Sequence, residues 1–522
     1  MTRFTPFFII LWLSLPGIAA PTVFNIRDYG ATGQKTDDAT VAIERTIAAA
    51  RQVGGGVVQV PPGNYTCLHI DLYNNITLQI DAGAVLFVDV ANPAFVNNSG
   101  FIYAERASNI TIRGRGQIDG QATYQWADYT TTDAEIDIEV AIARKAGIAM
   151  KRSYRTGKAA YTLLFRECDD VVIEGVTLVN SSLWAARLWG CNRVRFRAVT
   201  IRSDLEMGVN SDGIDLDGTS NAHVSGCTIS TGDDAICLKT GRWNSSEEKT
   251  YPTENIIVSD CILTSSSAAL KIGSETRAPI RHVFFTNCVI RDANRGISIN
   301  VQDGATISDV TFSNLTMDLR RRHWNWWGSA DAFYFVLKKR TPDSPVGSIK
   351  NITIDNVTAY AQGTSRAITT VDQPIENLRI RNLQLFMEPE ATPDKRTANA
   401  LLFSGIDGLI LDNVSVHWND EQPEPVWQHA LVLERVSNFR LRDVSARQAQ
   451  PAATTSALLL TDCRNGIISE CTAQPGTGTF SRITGANTRD LTVHTNFLKN
   501  ARIPLALDKT IPKNTVLYKP FP

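Results

Sequence analysis

Short runs of alternating apolar and polar residues recur along most of the chain. Early copies read NITL from Asn75 and NITI from Asn109, and longer ones read VVIEGVTL from Val171 and RVRFRAVTI from Arg193. Such alternation is typical of a β-strand with one buried face, so each copy predicts a strand, a polar kink and a second short strand. Further copies begin at His223, Ile256, His282, Asp309, Asn351, Asn377, Gly408, Asn438, Gly466 and Asp490.

The spacing of these copies predicts the architecture. From Val171 onward most copies follow one another after 22 to 33 residues, with a wider step before Asn351. One unit of this kind cannot bury its apolar face, whereas stacked units share a continuous core. A leucine-rich repeat would show more helix, and a propeller would need four strands per repeat. We therefore predict an all-β chain folded as a single-stranded right-handed parallel β-helix.

One segment ahead of the repeats has helical periodicity. In TDDATVAIERTIAAARQVGGG, Asp37 is a candidate cap, Ile43 and Ile47 lie four residues apart, and glycines end the pattern. We expect this helix to cover the open N-terminal end of the coil, because an unpaired strand edge invites aggregation.

The repeat is interrupted twice. Residues 121–160 read as a partly helical loop insertion over one face, and residues 320–346, which contain RRRHWNWWGS, read as an aromatic loop insertion. Neither insertion is long enough to form a domain of its own. Residues 21–522 are therefore predicted to form one β-helix domain.

The first twenty residues resemble an export signal. Arg3 is followed by the apolar run PFFIILWLSL and by the small residues GIAA, which predict cleavage near Ala20. No later segment is long and apolar enough to span a bilayer. We expect residues 1–20 to be a signal peptide and the mature protein to be secreted, periplasmic or bound at the cell surface.

Composition narrows the range of partners. The 522 residues carry a formal net charge of −1, which argues against nucleic acid and against an anionic membrane surface. The nine cysteines form no compact framework, and several recur at the same place in successive repeats, so buried stacked positions are predicted rather than disulfides. A monomer is expected.

Two acidic motifs carry the candidate chemistry. NSDGIDLDG spans residues 210–218 and TGDDAICLKTG spans residues 231–241, so Asp212 and Asp234 lie about one coil apart. Adjacent rungs of a parallel stack are about 4.8 Å apart, so these carboxylates should cluster and raise at least one pKa. Such a group suits a general acid beside a general base. The alternatives are turn capping and calcium binding. Asp215 and Asp217 are interpreted as supporting residues at the strand end.

These motifs resemble the polygalacturonase-like glycoside hydrolases of family twenty-eight. The similarity begins at VFNIRDYGATGQKTDDATVAIERTI and GGGVVQVPPGNY and is most specific at NSDGID and TGDDAICLK. It implies that Asp233 is the general acid and that Asp212 and Asp234 activate water. It also implies inversion without a metal or other cofactor on a carbohydrate substrate. An inverting site normally separates its acid and base carboxyls by about 6.5–9.5 Å.

Two departures from the family pattern affect the expected substrate. Ala268 stands where the family has a histidine, and Ser298-Ile299-Asn300 stands where it has Arg-Ile-Lys. Without these cations, the charge-assisted hydrogen bonds to a uronate at the cleavage point are lost. We therefore expect a glycosidic bond in a complex, pectin-related polysaccharide or oligosaccharide to be cleaved, rather than ordinary polygalacturonate.

Several nearby side chains are candidates for binding that carbohydrate. New cations follow the motifs, and the indoles of the second insertion could stack on sugar rings. The predicted substrate-binding residues are Asn210, Lys239, Lys271, Glu275, Arg277, Asn300, Trp324, Trp326 and Trp327.

Two other functions remain open at this stage. A calcium-dependent polysaccharide lyase would use the same scaffold and would need a strongly basic residue, for which Lys239, Lys271 and Arg295 are candidates. A non-catalytic carbohydrate-binding β-helix would explain the lost histidine and cations, but it would not explain three retained aspartates in register.

Overall fold

The computed structural model describes residues 22–129, 134–149, 151–322, 327–450, 454–509, 511–512 and 514–520. The predicted signal peptide lies outside these residues. Within them, no helix is long and apolar enough to cross a membrane.

Almost every repeat predicted from the sequence forms a strand. The strands before the first insertion are Val23–Asn25 (β1), Gly56–Val60 (β2), Gly63–Cys67 (β3), Ile70–Asp71 (β4), Ile76–Ile80 (β5), Ala84–Val88 (β6), Ser99–Glu105 (β7), Ser108–Gly114 (β8) and Gln117–Asp119 (β9). Those of the insertion are Thr123–Asp128 (β10) and Lys151–Thr156 (β11).

The central coils are built from short strands. They are Ala160–Arg166 (β12), Asp169–Glu174 (β13), Thr177–Val179 (β14), Ala186–Trp189 (β15), Asn192–Arg197 (β16), Thr200–Arg202 (β17), Ile214–Asp217 (β18), Ser220–Ser225 (β19), Thr228–Thr231 (β20), Ile236–Thr240 (β21), Thr253–Ser259 (β22), Ile262–Ser265 (β23), Ala268–Thr276 (β24), Ile280–Ala293 (β25), Arg295–Val301 (β26), Thr306–Leu319 (β27) and Asp331–Leu337 (β28).

The C-terminal coils contain the longest strands. They are Ser348–Ala361 (β29), Ser365–Thr369 (β30), Ile375–Met387 (β31), Leu401–Trp418 (β32), Leu431–Ala446 (β33), Leu458–Thr461 (β34), Arg464–Ser469 (β35), Thr472–Ala473 (β36), Thr479–Thr484 (β37), Arg489–His494 (β38), Ile503–Leu507 (β39) and Val516–Lys519 (β40).

Each coil pairs in parallel with the next coil along the chain. In the sheet that carries the acidic motifs, Ile214 is in register with Ile236, and Ile236 is in register with Leu270. These inward side chains join one core cluster that runs from the first coils to the last. The right-handed parallel β-helix predicted from the repeat is confirmed.

The predicted capping helix is present, but its cap was misplaced. Helix α1 spans Thr40–Gln52, buries Ile43 and Ile47, and contacts β1, β2, β4 and β5. The carboxylate that accepts from the Thr40 N–H belongs to Asp38, at 2.8 Å. Asp37 instead accepts from the hydroxyl of Thr32, so it stabilises the preceding loop.

The first insertion forms a small unit beside the coil. Strands β10 and β11 pair antiparallel, and the second helix, α2 (Ala134–Lys145), lies between them in sequence. The unit is fixed to the loop ahead of the acidic motif, because the Ser153 hydroxyl donates to the Met207 carbonyl at 2.6 Å. The coil resumes at β12, which pairs with β7.

The second predicted insertion, residues 320–346, is not continuous. Its residues Asp331–Leu337 form β28, which pairs in parallel with β26 and β30 and is therefore a rung of the coil. The continuous apolar run AFYFVL, which follows the tryptophans, lacks the apolar–polar alternation by which the other strands were predicted.

All nine cysteines are free and buried. Cys227, Cys261 and Cys288 occupy equivalent places in successive coils, as their recurrence in the sequence predicts. They fill the interior as small apolar side chains.

Stacked phenylalanines test the contribution of the core. Phe312 is fully buried and lies 4.9 Å from Phe285 and 6.0 Å from Phe335, measured between ring centroids. We expect Phe312→Ala to lower the free energy of unfolding by about 3–5 kcal/mol in denaturant titrations, because it removes a ring from a close-packed column. The neighbouring Phe284, which is 50% exposed, is the matched control. An equal loss in Phe284→Ala would contradict this assignment.

Candidate active site

Strand alternation places the acidic motifs on the outer face of one sheet. In β18, Ile214 and Leu216 enter the core, so Asp215 and Asp217 point outward. On the next rung, Asp215 is in register with Cys237 and Asp217 is in register with Lys239. The outer face of this sheet therefore carries the polar residues of both motifs.

The three predicted catalytic aspartates come together in the turns that lead into these strands. Asp212 precedes β18, and Asp233 and Asp234 precede β21. One oxygen from each carboxylate lies within 4.8 Å of the others, and all three side chains are buried. The register of β18 with β21 fixes this arrangement, because the Gly213 N–H donates to the Asp234 carbonyl at 2.9 Å.

Asp234 is the most fully hydrogen-bonded of the three carboxylates. Its Oδ1 accepts from the Ser267 hydroxyl at 2.8 Å and from the Ala268 N–H at 3.1 Å. Its Oδ2 accepts from Lys271 Nζ at 2.6 Å. Asp233 Oδ1 accepts from the Asp234 N–H at 2.9 Å. The two neighbouring carboxylates therefore have different environments.

A second lysine neutralises the rest of the acidic cluster. Lys239 Nζ lies 3.1 Å from Asp215 Oδ1, 3.6 Å from Asp212 Oδ2 and 3.7 Å from Glu275 Oε2. The same ammonium lies 3.6 Å from the ring centroid of Trp184, which is a cation–π contact. Lys239 is thus held in place by three carboxylates and an indole.

The pKa directions separate the carboxylates. Burial, with the adjacent Asp234 charge, raises the pKa of Asp233 to about 6. Burial also raises the pKa of Asp215 to about 7, and burial together with the Asp233 charge raises that of Asp212 well above its ordinary value. For Asp234, burial is outweighed by the charges of Lys271 and Lys239, and the pKa is lowered. A proton held by the cluster is therefore excluded most strongly from Asp234.

The cationic groups and Glu275 are held in their charged forms. Burial opposes the charge of Lys239, but Asp215 and Glu275 outweigh it and raise the lysine pKa. For Lys271, Asp234 likewise outweighs burial and raises the pKa. Burial opposes the ionisation of Glu275, yet the Lys239 ammonium lowers the pKa of this carboxyl to about 2.

A cleft of 510 Å³ opens above these residues. It contains all three predicted catalytic aspartates and six of the predicted substrate-binding residues. Those six are Asn210, Lys239, Lys271, Glu275, Asn300 and Trp327.

Trp327 joins the cleft to the first insertion. It packs against Val140 and Ala143 of α2, and Arg152 of β11 lies 5.8 Å from its ring centroid. Trp324 and Trp326 lie outside the described residues. Of the three indoles predicted to form an aromatic wall, Trp327 is therefore the one that the described residues place at the cleft.

The structure does not bring Arg277 into the lining of this cleft, and its predicted binding of substrate stays a prediction. Its guanidinium does not line the cavity and lies 3.8 Å from Asp303 Oδ1. Arg277 follows the register shift that β24 makes between the positions opposite Leu238 and Thr240.

Several cleft residues were not among the predicted set. Trp184 precedes β15, and its place was not recognised because a single indole in an apolar run resembles core. A basic segment follows β28, where Arg340 pairs with Asp303 at 2.7 Å and donates to the Ser274 carbonyl at 2.8 Å. The additional lining residues are Trp184, Ser274, Arg295, Ser298, Gln302, Lys338, Lys339 and Arg340.

Some buried polar atoms at the cleft have no hydrogen-bond partner within the described part of the chain. They include Asp212 Oδ1, Ser298 Oγ, Asn300 Oδ1 and Glu275 Oε2. Buried polar atoms are almost always paired, so a cluster of unpaired ones in a cavity indicates a place for an external polar group. A ligand rich in hydroxyl groups would satisfy them.

The aspartate cluster also has the spacing of a candidate cation site. Carboxylate oxygens are the ligands that hard divalent cations prefer. However, Lys271 and Lys239 already place ammonium groups beside Asp234 and Asp212. A divalent cation at this position would have to overcome the repulsion of both.

The fold and site together define a carboxylate-based enzyme cleft on a parallel β-helix. The sequence model of glycosyl hydrolases family 28 matches residues 56–385. The chain belongs to this family, and the family assignment implied by NSDGID and TGDDAICLK is confirmed.

Curated relatives match about half of the chain. A polygalacturonase of Cryptomeria japonica is 27% identical over 47% of this chain and 43% of its own length. An exopolygalacturonase of Platanus acerifolia is 25% identical over 43% of this chain and 54% of its own length. The chain thus spans about half the length of the curated relatives that it matches.

Solved structures support the fold. The exopolygalacturonase of Thermotoga maritima superposes with a TM-score of 0.61 and 21% identity, covering 76% of this chain and 93% of that one. A family 28 exopolygalacturonase of Yersinia enterocolitica gives a TM-score of 0.60 and 19% identity, covering 83% of this chain and 80% of that one.

The raised pKa of Asp233 predicts a cost in stability at neutral pH. Its folded value of about 6 lies above the unfolded value near 3.9, so the folded state binds more protons between about pH 4 and 6. The Asp233 contribution to the free energy of unfolding therefore falls as pH rises through this window. We expect Asp233→Asn to be more stable than the wild type at pH 7, by about 1 kcal/mol or more, but not at pH 4.

Asp217→Asn is the matched control. Asp217 pairs with the buried Arg187 at 2.8 Å, so its loss should destabilise the protein by about 3–5 kcal/mol. Thermal unfolding of both variants between pH 4 and pH 7 measures the difference. A lower stability of Asp233→Asn at pH 7 would contradict the assigned burial cost.

Proposed function

We propose that the protein is an inverting, metal-independent glycoside hydrolase acting on a pectin-related polysaccharide or oligosaccharide. The observation that carries the proposal is the contrast between Asp233 and Asp234, two adjacent buried carboxylates of which one is held ionised by Lys271. A pair of carboxyl groups with separated pKa values is the arrangement that acid–base hydrolysis of a glycoside requires.

Asp233 is assigned as the general acid. Its proton passes to the glycosidic oxygen as the bond from that oxygen to the anomeric carbon breaks. Asp234, with Asp212 beside it, accepts a proton from a water molecule whose oxygen forms the new bond to the anomeric carbon. The products are a sugar with a new anomeric hydroxyl and the released alcohol, and the proton taken from water restores the balance.

The inverting outcome rests on the family rather than on the distances. The nearest oxygens of the three aspartates lie within 4.8 Å, which is shorter than the separation of about 6.5–9.5 Å typical of inverting sites. That separation was expected from the resemblance. Because the nearest oxygens of two carboxyl groups are closer together than the centres of those groups, the spacing of 4.8 Å is compatible with inversion and with retention of the anomeric configuration.

The cleft suggests a substrate that differs from plain polygalacturonate. Ser298 and Asn300 line the floor where the family carries Arg and Lys, and their unpaired oxygens suit sugar hydroxyl groups. Basic residues lie on the wall formed after β28. Relatives named polygalacturonase and exopolygalacturonase support a pectin-related polysaccharide as the substrate. Within this polysaccharide, a neutral or branched sugar would be the unit at the cleavage point.

A calcium-dependent lyase is the less favoured alternative. A lyase needs a base strong enough to remove a proton beside a uronate carboxylate. Lys239 and Lys271 are both paired with carboxylates that raise their pKa, so neither is available as a neutral base at ordinary pH. Arg295, the third candidate base, pairs with Asp331 at 2.7 Å and is therefore also occupied by a carboxylate.

A carbohydrate-binding protein without activity would not require this cluster. Three buried carboxylates are expensive to retain, and the buried Lys239 and the partly buried Lys271 are needed to offset them.

We also propose that the protein is exported, on the basis of Arg3, the apolar run that follows it and the small residues up to Ala20.

Replacement of the acid tests the catalytic assignment. We expect Asp233→Asn to lower kcat by about 100-fold or more, because general acid catalysis contributes about that much or more. Affinity for oligosaccharides should be nearly unchanged, and thermal unfolding should confirm a folded protein. Asp343→Asn, which changes a carboxylate outside the lining of the cleft, is the matched control. Full activity in Asp233→Asn would contradict the assignment.

A substrate screen tests the class of reaction. Purified protein is incubated with plant and microbial polysaccharides and their oligosaccharides, with and without a chelator, and the products are separated by chromatography. We expect saturated sugars and no effect of the chelator. Unsaturated products that absorb in the ultraviolet and disappear with the chelator would support the lyase instead. Binding without any product would support the non-catalytic alternative.

A further inference from the structure

Lys271 occupies an unexpected position in the site. It lies on β24, one rung beyond β21, and is in register with Cys237. Its neighbours Leu270 and Ile272 enter the core, so its side chain points outward and reaches back to the preceding rung. There its Nζ contacts Asp234 Oδ2 at 2.6 Å, while only 19% of the side chain is exposed.

The same rung supplies the other two donors to the Asp234 carboxylate within the described chain. Ser267 and Ala268 donate to Oδ1, and Lys271 donates to Oδ2, so both oxygens act as acceptors. A protonated Asp234 would place its own hydrogen against one of these donors. Ala268 stands at the place that the family resemblance gives to a histidine, and it contributes only its backbone N–H.

We propose that Lys271 is a positioning residue that holds Asp234 as an oriented carboxylate and thereby decides which of two adjacent aspartates carries the proton. The catalytic meaning of this role rests on the proposed function. Lys271 acts through Asp234, so its first partner is the aspartate and not the substrate. Ala268, at the position that the family resemblance gives to a histidine, places no polar side chain beside the acid–base pair. Lys271, from another position on the same strand, places a charged group there instead.

Other charged groups face Asp234 but are committed elsewhere. Asp233 lies in the same turn, and Asp212 and Asp215 face it from the preceding rung. Lys239 of β21 divides its ammonium among Asp215, Asp212 and Glu275, and none of its contacts within 4.0 Å in the described chain is with Asp234. The Cys237 thiol donates to the Gly273 carbonyl, and burial raises its pKa well above the ordinary value, so it is neutral. Among the described residues, Lys271 is therefore the lysine whose ammonium pairs directly with the Asp234 carboxylate.

The direct test measures the ionisation of Asp234 without substrate. Protein labelled with carbon-13 at the aspartate carboxyl groups is titrated by NMR, and the Asp234 signal is identified by its absence from Asp234→Asn. We expect the midpoint of Asp234 to rise by about 1–3 pH units in Lys271→Met and to stay near the wild-type value in Lys271→Arg. An unchanged midpoint in Lys271→Met would overturn the proposal.

The matched control is Lys339→Met. Lys339 lines the same cleft, but its Nζ donates to the Pro342 carbonyl at 3.0 Å and forms no ion pair with a described carboxylate. The Lys339→Met substitution removes one positive charge from the cleft without changing a contact of the aspartates. An equal rise of the Asp234 midpoint in this control would show a general field effect and would also overturn the specific role of Lys271.

Kinetics give the second readout. On the substrate identified by the screen, the pH profile of kcat/KM should move to higher pH in Lys271→Met, because removal of the cation raises the pKa of Asp234 and of Asp233 together. At the wild-type optimum kcat should fall by about 10-fold or more, and Lys271→Arg should restore it. A higher KM with an unmoved profile would assign Lys271 to substrate binding instead. If the NMR midpoint moves but no substrate is cleaved, the proposed function fails while the control of Asp234 by Lys271 stands.

Discussion

The spacing of about 4.8 Å between parallel rungs is the constraint on which the site depends. Because successive coils repeat the same outward positions, any polar residue on one rung is forced close to its counterpart on the next. Asp212 and Asp234 are brought together in this way, and the register of Ile214 with Ile236 leaves them no freedom to separate. The fold thus assembles a cluster of carboxylates that their mutual repulsion would otherwise disperse.

The cluster is tolerated because cations are built into the same rungs. Lys239 balances Asp215, Asp212 and Glu275, and Lys271 balances Asp234. This division leaves Asp233 without a lysine within 4.0 Å among the described residues, so it retains a proton more readily than Asp234. The chemistry of the site follows from where the two ammonium groups are placed as much as from where the aspartates are placed.

Most of the fold could be predicted from the sequence, because strand alternation and repeat spacing report local and nearest-neighbour interactions. The aspartates could be placed for the same reason, since one coil separates their motifs. The sequence marks Lys271 as a residue that could touch the substrate or the aspartates. Its ion pair with Asp234 in particular could not be placed, because it depends on a side chain reaching back across a rung. The place of Arg277 beside Asp303 could not be predicted, because this contact depends on a side chain from the next rung. The strand Asp331–Leu337 was missed because it follows an indole-rich stretch of sequence and was interpreted as part of the same insertion.

Hydrolysis in water enriched in oxygen-18 tests the central claim most directly. Product formed from a cleaved oligosaccharide would be analysed by mass spectrometry for the label and by proton NMR, at early times, for the configuration of the new anomeric centre. We expect one labelled oxygen at the anomeric carbon and initial formation of the anomer opposite to that of the substrate bond. Retained configuration would contradict the inverting role of the aspartates, and an unlabelled, unsaturated product would contradict hydrolysis itself.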